Sequence, residues 1–188
     1  MYQANNQLFV LLVGHNASGK TTLARQLAED LNLQLVEGDP FRMFLAAEIP
    51  YFKDLDISIP NPKARIASQL THDYRHMLAR KLLKADQAVL YGGGNLKRDV
   101  RAHIFEKICN GIATRRVILY CKIDEGTLLG RFAERERNDS KSRWTEHYFR
   151  YRKPQLEEPA ADECDELIVY DQQNYEEVRD RLKRLLTR

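Results

Sequence analysis

Two stretches of this 188-residue chain carry residue types at spacings that do chemistry. The first is "GHNASGKT", Gly14 to Thr21, which fits G-x-x-x-x-G-K-[ST] in full. Gly14 and Gly19 let a backbone curl around a phosphate chain with its N–H groups turned inward. His15, Asn16, Ala17 and Ser18 lie within that loop and count with it as nucleotide-binding positions; the His15 side chain is expected to be exposed. Lys20 brings a point charge to the β- and γ-phosphates, and the Thr21 hydroxyl is the expected ligand for Mg²⁺. The cofactors implied are ATP and Mg²⁺. Ser18 has no His–Asp partner pattern and is not read as a nucleophile.

The second stretch is "GDPFR", where Asp39 stands three positions before Arg42. On a helix starting near Pro40 the two share a face, and Asp39 is then a plausible N-cap. The cap is compatible with catalysis: a carboxylate aimed at the γ-phosphate accepts the proton of an attacking hydroxyl. Arg42 suits the acceptor's own phosphate or the charge in transfer. Further along, "ERERNDSKSR" places Arg131 and Arg135 four apart on one helix face, with Arg137 and Arg143 following. Either this is a solvated charged face, or it is a lid over the phosphates spanning roughly residues 131–145. Phosphoryl transfer draws most of its catalysis from positioned positive charge and exclusion of water, which favours the lid.

Elements of regular structure must bring these groups together. "LFVLLV" (Leu8 to Val13) is uniformly apolar and predicts a strand buried on both faces. Leu23, Leu27 and Leu31 have helical spacing. Further strands are predicted at Leu33–Val36, Ala88–Tyr91, Arg116–Ile123 and Glu166–Tyr170. A long helix over 63–84 is predicted to bury Ile66, Leu70, Tyr74, Met77, Leu78 and Leu82. Val100, Ile104 and Ile108 mark another helix, and Val178, Leu182 and Leu185 line a terminal one. Five apolar strands alternating with helices predict an α/β fold with a parallel sheet. The chain is expected to form one domain over residues 1–188.

With these motifs assembled, the chain resembles the P-loop kinases related to the 5′-hydroxyl polynucleotide kinase domain, a group that also holds many small kinases. "GHNASGKTT", which extends the loop to Thr22, and "GDPFR" resemble that group's phosphate loop and acidic-x-x-Arg motif. "NLKRDVR", "LLGRFAER" and "KPQLEEPAADECDELIVY" resemble its later segments. The resemblance implies a P-loop NTPase fold, a five-stranded parallel sheet flanked by helices with an Arg-bearing lid. It implies Asp39 as general base, with Lys20, Arg131 and Arg135 on the ATP phosphates. Asn95 and Arg101 join Asp39 and Arg42 as acceptor-side residues. One departure stands out: "YGGGN" carries Gly92 and Gly93 where such kinases usually end the third strand in an aspartate.

The expected activity is transfer of the γ-phosphoryl group of ATP to a hydroxyl: a polynucleotide 5′-OH, a nucleoside or nucleotide, or a small molecule. The rivals are an ATP-binding protein or degenerate kinase without transfer, and a zeta-toxin-like nucleotide-sugar kinase. Net charge +3 is modest, so nucleic acid as a partner is permitted and not demanded, although Lys97, Arg98 and Arg101 cluster on the expected acceptor side. No apolar run approaches the roughly 20 residues of a membrane span. The unpaired spacing of Cys109, Cys121 and Cys164 predicts reduced thiols in a cytoplasmic protein. Two weaker candidates are His72 with His76, expected to be structural, and "WTEHYFRYR", expected to pack Trp144, Tyr148 and Tyr151 on the body. Nothing in the sequence specifies an oligomeric state.

Overall fold

The computed structural model describes residues 7–55, 61–138 and 146–187. Five parallel strands, β1 (Leu8–Val13), β2 (Gln34–Val36), β3 (Val89–Tyr91), β4 (Arg115–Cys121) and β5 (Glu166–Tyr170), lie in the order β2-β3-β1-β4-β5. β1 is central, and all six of its residues are buried. Its apolar run is what a strand with helices on both faces requires.

Alternation along the strands divides the core. Leu8, Val10 and Leu12 join Leu90, Val117, Leu119 and Ile168 under α1 (Lys20–Leu31) and α7 (Tyr175–Leu186). Phe9, Leu11 and Val13 point the other way, joining Val89, Tyr91, Ile118 and Tyr120 under α3 (Pro62–Lys84) and α4 (Arg98–Cys109). The terminal helix buries Val178, Leu182 and Leu185, the stripe its spacing predicts. Parallel register, such as Val10 opposite both Leu90 and Val117, brings the strand C-termini to one edge. That edge holds the chemistry-bearing loops.

The buried face of α3 differs from the expected one. It consists of Ala64, Ala67, Thr71, Arg75, Ala79 and Leu83, while Ile66, Leu70 and Met77 are 41%, 40% and 50% exposed. Small side chains let this helix approach the body closely, an advantage that an apolar stripe of larger residues does not offer. The helix is capped by Asn61, whose side chain accepts the Ala64 N–H at 2.7 Å, with Pro62 in the first turn.

Arg101 also departs from expectation. It is fully buried on α4, where Nε and Nη2 donate to the Glu163 carboxylate at 2.7 and 2.8 Å. Nη1 serves the carbonyls of Asn95, Leu96 and Glu157. A guanidinium so occupied cannot reach an acceptor, so Arg101 locks the β3–α4 turn instead. Arg98 is likewise engaged, donating to Asp162 at 2.7 Å. Among the described residues no helix is long and apolar enough to cross a membrane. The three cysteines are free thiols, and burial pushes Cys109 and Cys121 up to about 12.

The Arg101–Glu163 pair carries a stability prediction. Burial alone raises the Glu163 carboxyl, but hydrogen bonds from Arg101 and the Ala160 N–H outweigh it and hold it below its ordinary value. A carboxylate depressed in the folded state adds stability above its unfolded pKa, about 4.3, that is lost as pH falls through the lower folded value. Glu163→Gln leaves Arg101 buried without a counter-ion and is expected to cost about 3–5 kcal/mol at pH 7. Thermal melts from pH 7 to pH 3 should show the variant's midpoint lower at neutrality and falling less steeply in acid than the wild type's.

Candidate active site

The phosphate loop leaves the end of β1 under tight constraint. Gly14 has φ 146°, and a Cβ there would stand 2.8 Å from the Cys121 carbonyl at the end of β4. Its N–H donates to the Gly94 carbonyl at 3.0 Å, tying the loop to the segment after β3. Ala17 adopts the left-handed conformation at φ 64°, and Gly19, at φ 83°, precedes α1. No side chain caps α1, so the N–H groups of its first turn remain for a ligand. Thr21 and Thr22 are exposed in that turn.

Lys20 curls back into the loop. Its Nζ donates to the His15 carbonyl and lies 3.2 Å from Ser18 Oγ. Burial lowers the ammonium to about 8, with Arg135 adding to the effect. A desolvated cation held by neutral oxygens, at an open helix N-terminus, is a fitting seat for a polyphosphate. The Thr21 hydroxyl, exposed in the first turn of α1, is a candidate ligand for a divalent metal at such a seat. His15 is buried rather than exposed: its ring meets Phe149 edge-on at 5.3 Å. Burial, then the charges of Lys20, Arg152 and Lys153, lower its pKa to about 4, so the ring is neutral at pH 7. Asn16 is half-buried beside it, and Ser18 is fully buried.

Two cations from α5 (Glu125–Asn138) overlook the loop. Arg131 Nη1 donates to the Ala17 carbonyl at 2.9 Å, and Nη2 to Gln172 Oε1 at 3.2 Å. Gln172 in turn donates to the Ser18 carbonyl at 3.1 Å. Arg135, one turn on, is exposed. Sequence reasoning missed Gln172; its only signal is its place just after β5, at the strand edge that carries the loop. Of the expected lid, residues 139–145, with Arg143 and Trp144, lie outside the described residues, as does the Tyr148 side chain. Tyr151 is 67% exposed, contrary to expectation. Phe149 of α6 (Glu146–Arg152) is the buried aromatic, stacked on Phe132.

Across the crevice, α2 (Asp39–Glu48) begins at Asp39 itself, and Gly38 is its N-cap. Among the described residues the Asp39 carboxylate caps no backbone N–H; it accepts from Arg42 Nη2 and is 73% exposed. Asn95 gives one side-chain donor to the scaffold, its Nδ2 donating to the Leu12 carbonyl at 2.7 Å. This holds the β3–α4 turn on β1. Arg75 was missed altogether: it is buried, donates Nη2 to the Gly92 carbonyl and lies 4.1 Å over the Tyr91 ring. Its guanidinium stands where the expected strand-end aspartate is lacking. His76 sits between His72, Tyr91 and His103, with ring centroids about 6 Å apart, as a packed ring cluster.

A cavity of about 560 Å³ lies elsewhere, between Phe105, Cys109 and Thr114 toward the strand N-termini. Its arginines, Arg98 and Arg116, already pair with Asp162 and Asp165, so it does not compete as the active site.

Comparison with known proteins agrees with this arrangement. No curated protein matches the sequence. Among solved structures, a provisionally named kinase from Chloroflexus aurantiacus superposes with TM-score 0.72 at 19% identity, covering 98% of both chains. A gluconokinase from Sinorhizobium meliloti gives 0.58 at 18% identity, covering 96% of this chain and 91% of its own. The APS kinase of Mycobacterium tuberculosis, solved with AMPPNP and APS, gives 0.58 at 18% identity, covering 97% and 98%. These likenesses show a P-loop kinase-like fold. The AAA domain family matches residues 9–159, and with its phosphate loop inside that span the chain belongs to this family.

Proposed function

We propose that the chain is an ATP-dependent phosphotransferase acting on a hydroxyl acceptor in the cytoplasm, as one kinase domain. The carrying observation is Lys20 folded into an uncapped phosphate loop against the His15 carbonyl and Ser18 Oγ, with the Asp39 carboxylate exposed on the same sheet edge. The kinase neighbours and the resemblance to polynucleotide 5′-hydroxyl kinases support it. A polynucleotide 5′-OH, a nucleoside or nucleotide, and a small hydroxyl compound are the acceptor classes it admits.

Lys20 and the N–H groups of the loop hold the β- and γ-phosphates. Mg²⁺ bound at Thr21 would offset phosphate charge. The acceptor oxygen forms its bond to the γ-phosphorus while the bond to the β–γ bridging oxygen breaks, leaving ADP. The acceptor's proton passes to the Asp39 carboxylate, which Arg42 orients. Arg131 already touches the loop, and Arg135 follows it on the same face of α5, so the two close over the phosphates as a lid and shed water from the transfer.

A second reading, ATP binding without transfer, draws on the glycines after β3. Labelled γ-phosphoryl transfer to 5′-OH oligonucleotides, nucleosides and small polyols separates the two. Product on any acceptor supports the kinase, and tight ATP–Mg²⁺ binding with no product on every acceptor supports the rival.

Two variants test the roles. Lys20→Ala is expected to abolish turnover, and full activity in that variant would sink the phosphate-loop assignment. Asp39→Asn loses no cap, so its melting temperature should match the wild type. Its kcat and kcat/KM should fall together by about 10²–10⁴, with ATP affinity kept. A normally folded Asp39→Asn enzyme with wild-type kcat would remove Asp39 from the chemistry.

A further inference from the structure

Arg75 is a buried charge with no direct ion pair among the described residues, although the carboxylates of Asp39 and Glu37 act on it from a distance. Only 5% of it is exposed, and among the described residues its one side-chain hydrogen bond runs from Nη2 to the Gly92 carbonyl. Its Nε is buried with no acceptor. No carboxylate among the described residues is in ion-pair contact with it: Asp39 is held by Arg42, and Glu37 lies 3.7 Å from Arg25. A guanidinium does not escape burial by losing its proton. Buried charges are therefore paired, or they wait for a partner.

The surroundings locate that partner. Gly38 separates Arg75 from Arg42: a Cβ there would come 3.0 Å from Arg42 Nη1 and 3.2 Å from Arg75 Cδ. On the far side, a Cβ at Gly93 would stand 3.4 Å from Arg75 Nη2. Glycines thus keep side chains off Arg75 at two points, beside its Cδ at Gly38 and beside Nη2 of its guanidinium at Gly93. The next glycine, Gly94, is bonded to Gly14 of the phosphate loop, so Arg75 lies one loop away from the phosphates. Arg42, which already holds Asp39, and Arg75 repel each other, and an anion reaching both would share Arg42 with that carboxylate while giving Arg75 the direct partner it lacks.

We propose that Arg75 and Arg42 form an anion subsite, so that the phosphorylated hydroxyl compound carries a carboxylate or phosphate group bridging the two guanidiniums. This rests on the kinase reading for its substrate, but not for its site. The bland role for Arg75, a stack on Tyr91 and a donor to Gly92, predicts no response to anions.

The test has a binding arm and a transfer arm. Protein saturated with AMPPNP–Mg²⁺, which fills the phosphate loop, is titrated calorimetrically with inorganic phosphate and with acetate. The expected result is saturable binding of at least one anion, weakened about 10–100-fold in Arg75→Gln and in Arg75→Met. Gln keeps a donor for Gly92 and Met a packed stem, so melting temperatures and AMPPNP affinity confirm the fold. Which anion binds more tightly tells carboxylate from phosphate. In the transfer arm, hydroxy acids are paired with their neutral amides, and sugar phosphates with free sugars. The anionic members should be preferred, and the Arg75 variants should raise their KM far more than they lower kcat. Absence of anion binding, or equal binding in wild type and folded variants, overturns the subsite. Anion binding through Arg75 with no transfer to any acceptor would leave the subsite standing and defeat the kinase reading.

Discussion

The site depends on one constraint, the closure of the phosphate loop against the two strands that flank β1. On one side the Gly14 N–H bonds the Gly94 carbonyl, and the Asn95 side chain bonds the Leu12 carbonyl. On the other the Gly14 α-carbon approaches the Cys121 carbonyl so closely that no side chain fits. The loop therefore inherits the rigidity of three adjacent strands. That is the preorganisation electrostatic catalysis needs, because dipoles fixed in advance cost no reorganisation when charge moves.

Around this closure the structure collects cations, half-buried at Lys20 and Arg131 and buried at Arg75. Lys20 faces neutral oxygens, Arg131 rests on the Ala17 carbonyl, and Arg75 stacks on Tyr91 behind Arg42. None of the three is neutralised within the crevice by a described carboxylate. Arg101, by contrast, has its own carboxylate and does structural work. Arg75 and Arg131 bond only neutral oxygens among the described residues.

Much of the scaffold was legible in the sequence. The apolar runs of β1 and β4 and the heptad-like spacing of α7 report burial directly, since nothing but a core explains them. The phosphate loop was legible because its glycines answer to backbone geometry alone. The face of α3 was not: Ala and Thr bury without a strong apolar signal, and the larger residues misled. Arg75, Gln172 and the fate of Arg101 were hidden for another reason. Their partners, Gly92, Ser18 and Glu163, lie 17 to 154 positions away, and no local pattern encodes such a meeting.

The support that Gln172 gives the loop has a consequence for how the protein comes into being. The loop is made before β5, yet the Ser18 carbonyl lies 154 positions and the Arg131 guanidinium 41 positions ahead of the Gln172 that braces them. Glu163, the counter-ion of Arg101, is also a late arrival. A nascent chain that stops short of β5 holds a nucleotide motif without its brace and a buried-to-be arginine without its partner. Long sequence separation of this kind slows folding, because the connecting chain must be ordered before the contact repays it. The brace on the phosphate loop should thus arrive with β5 and the turn after it rather than with the motif itself.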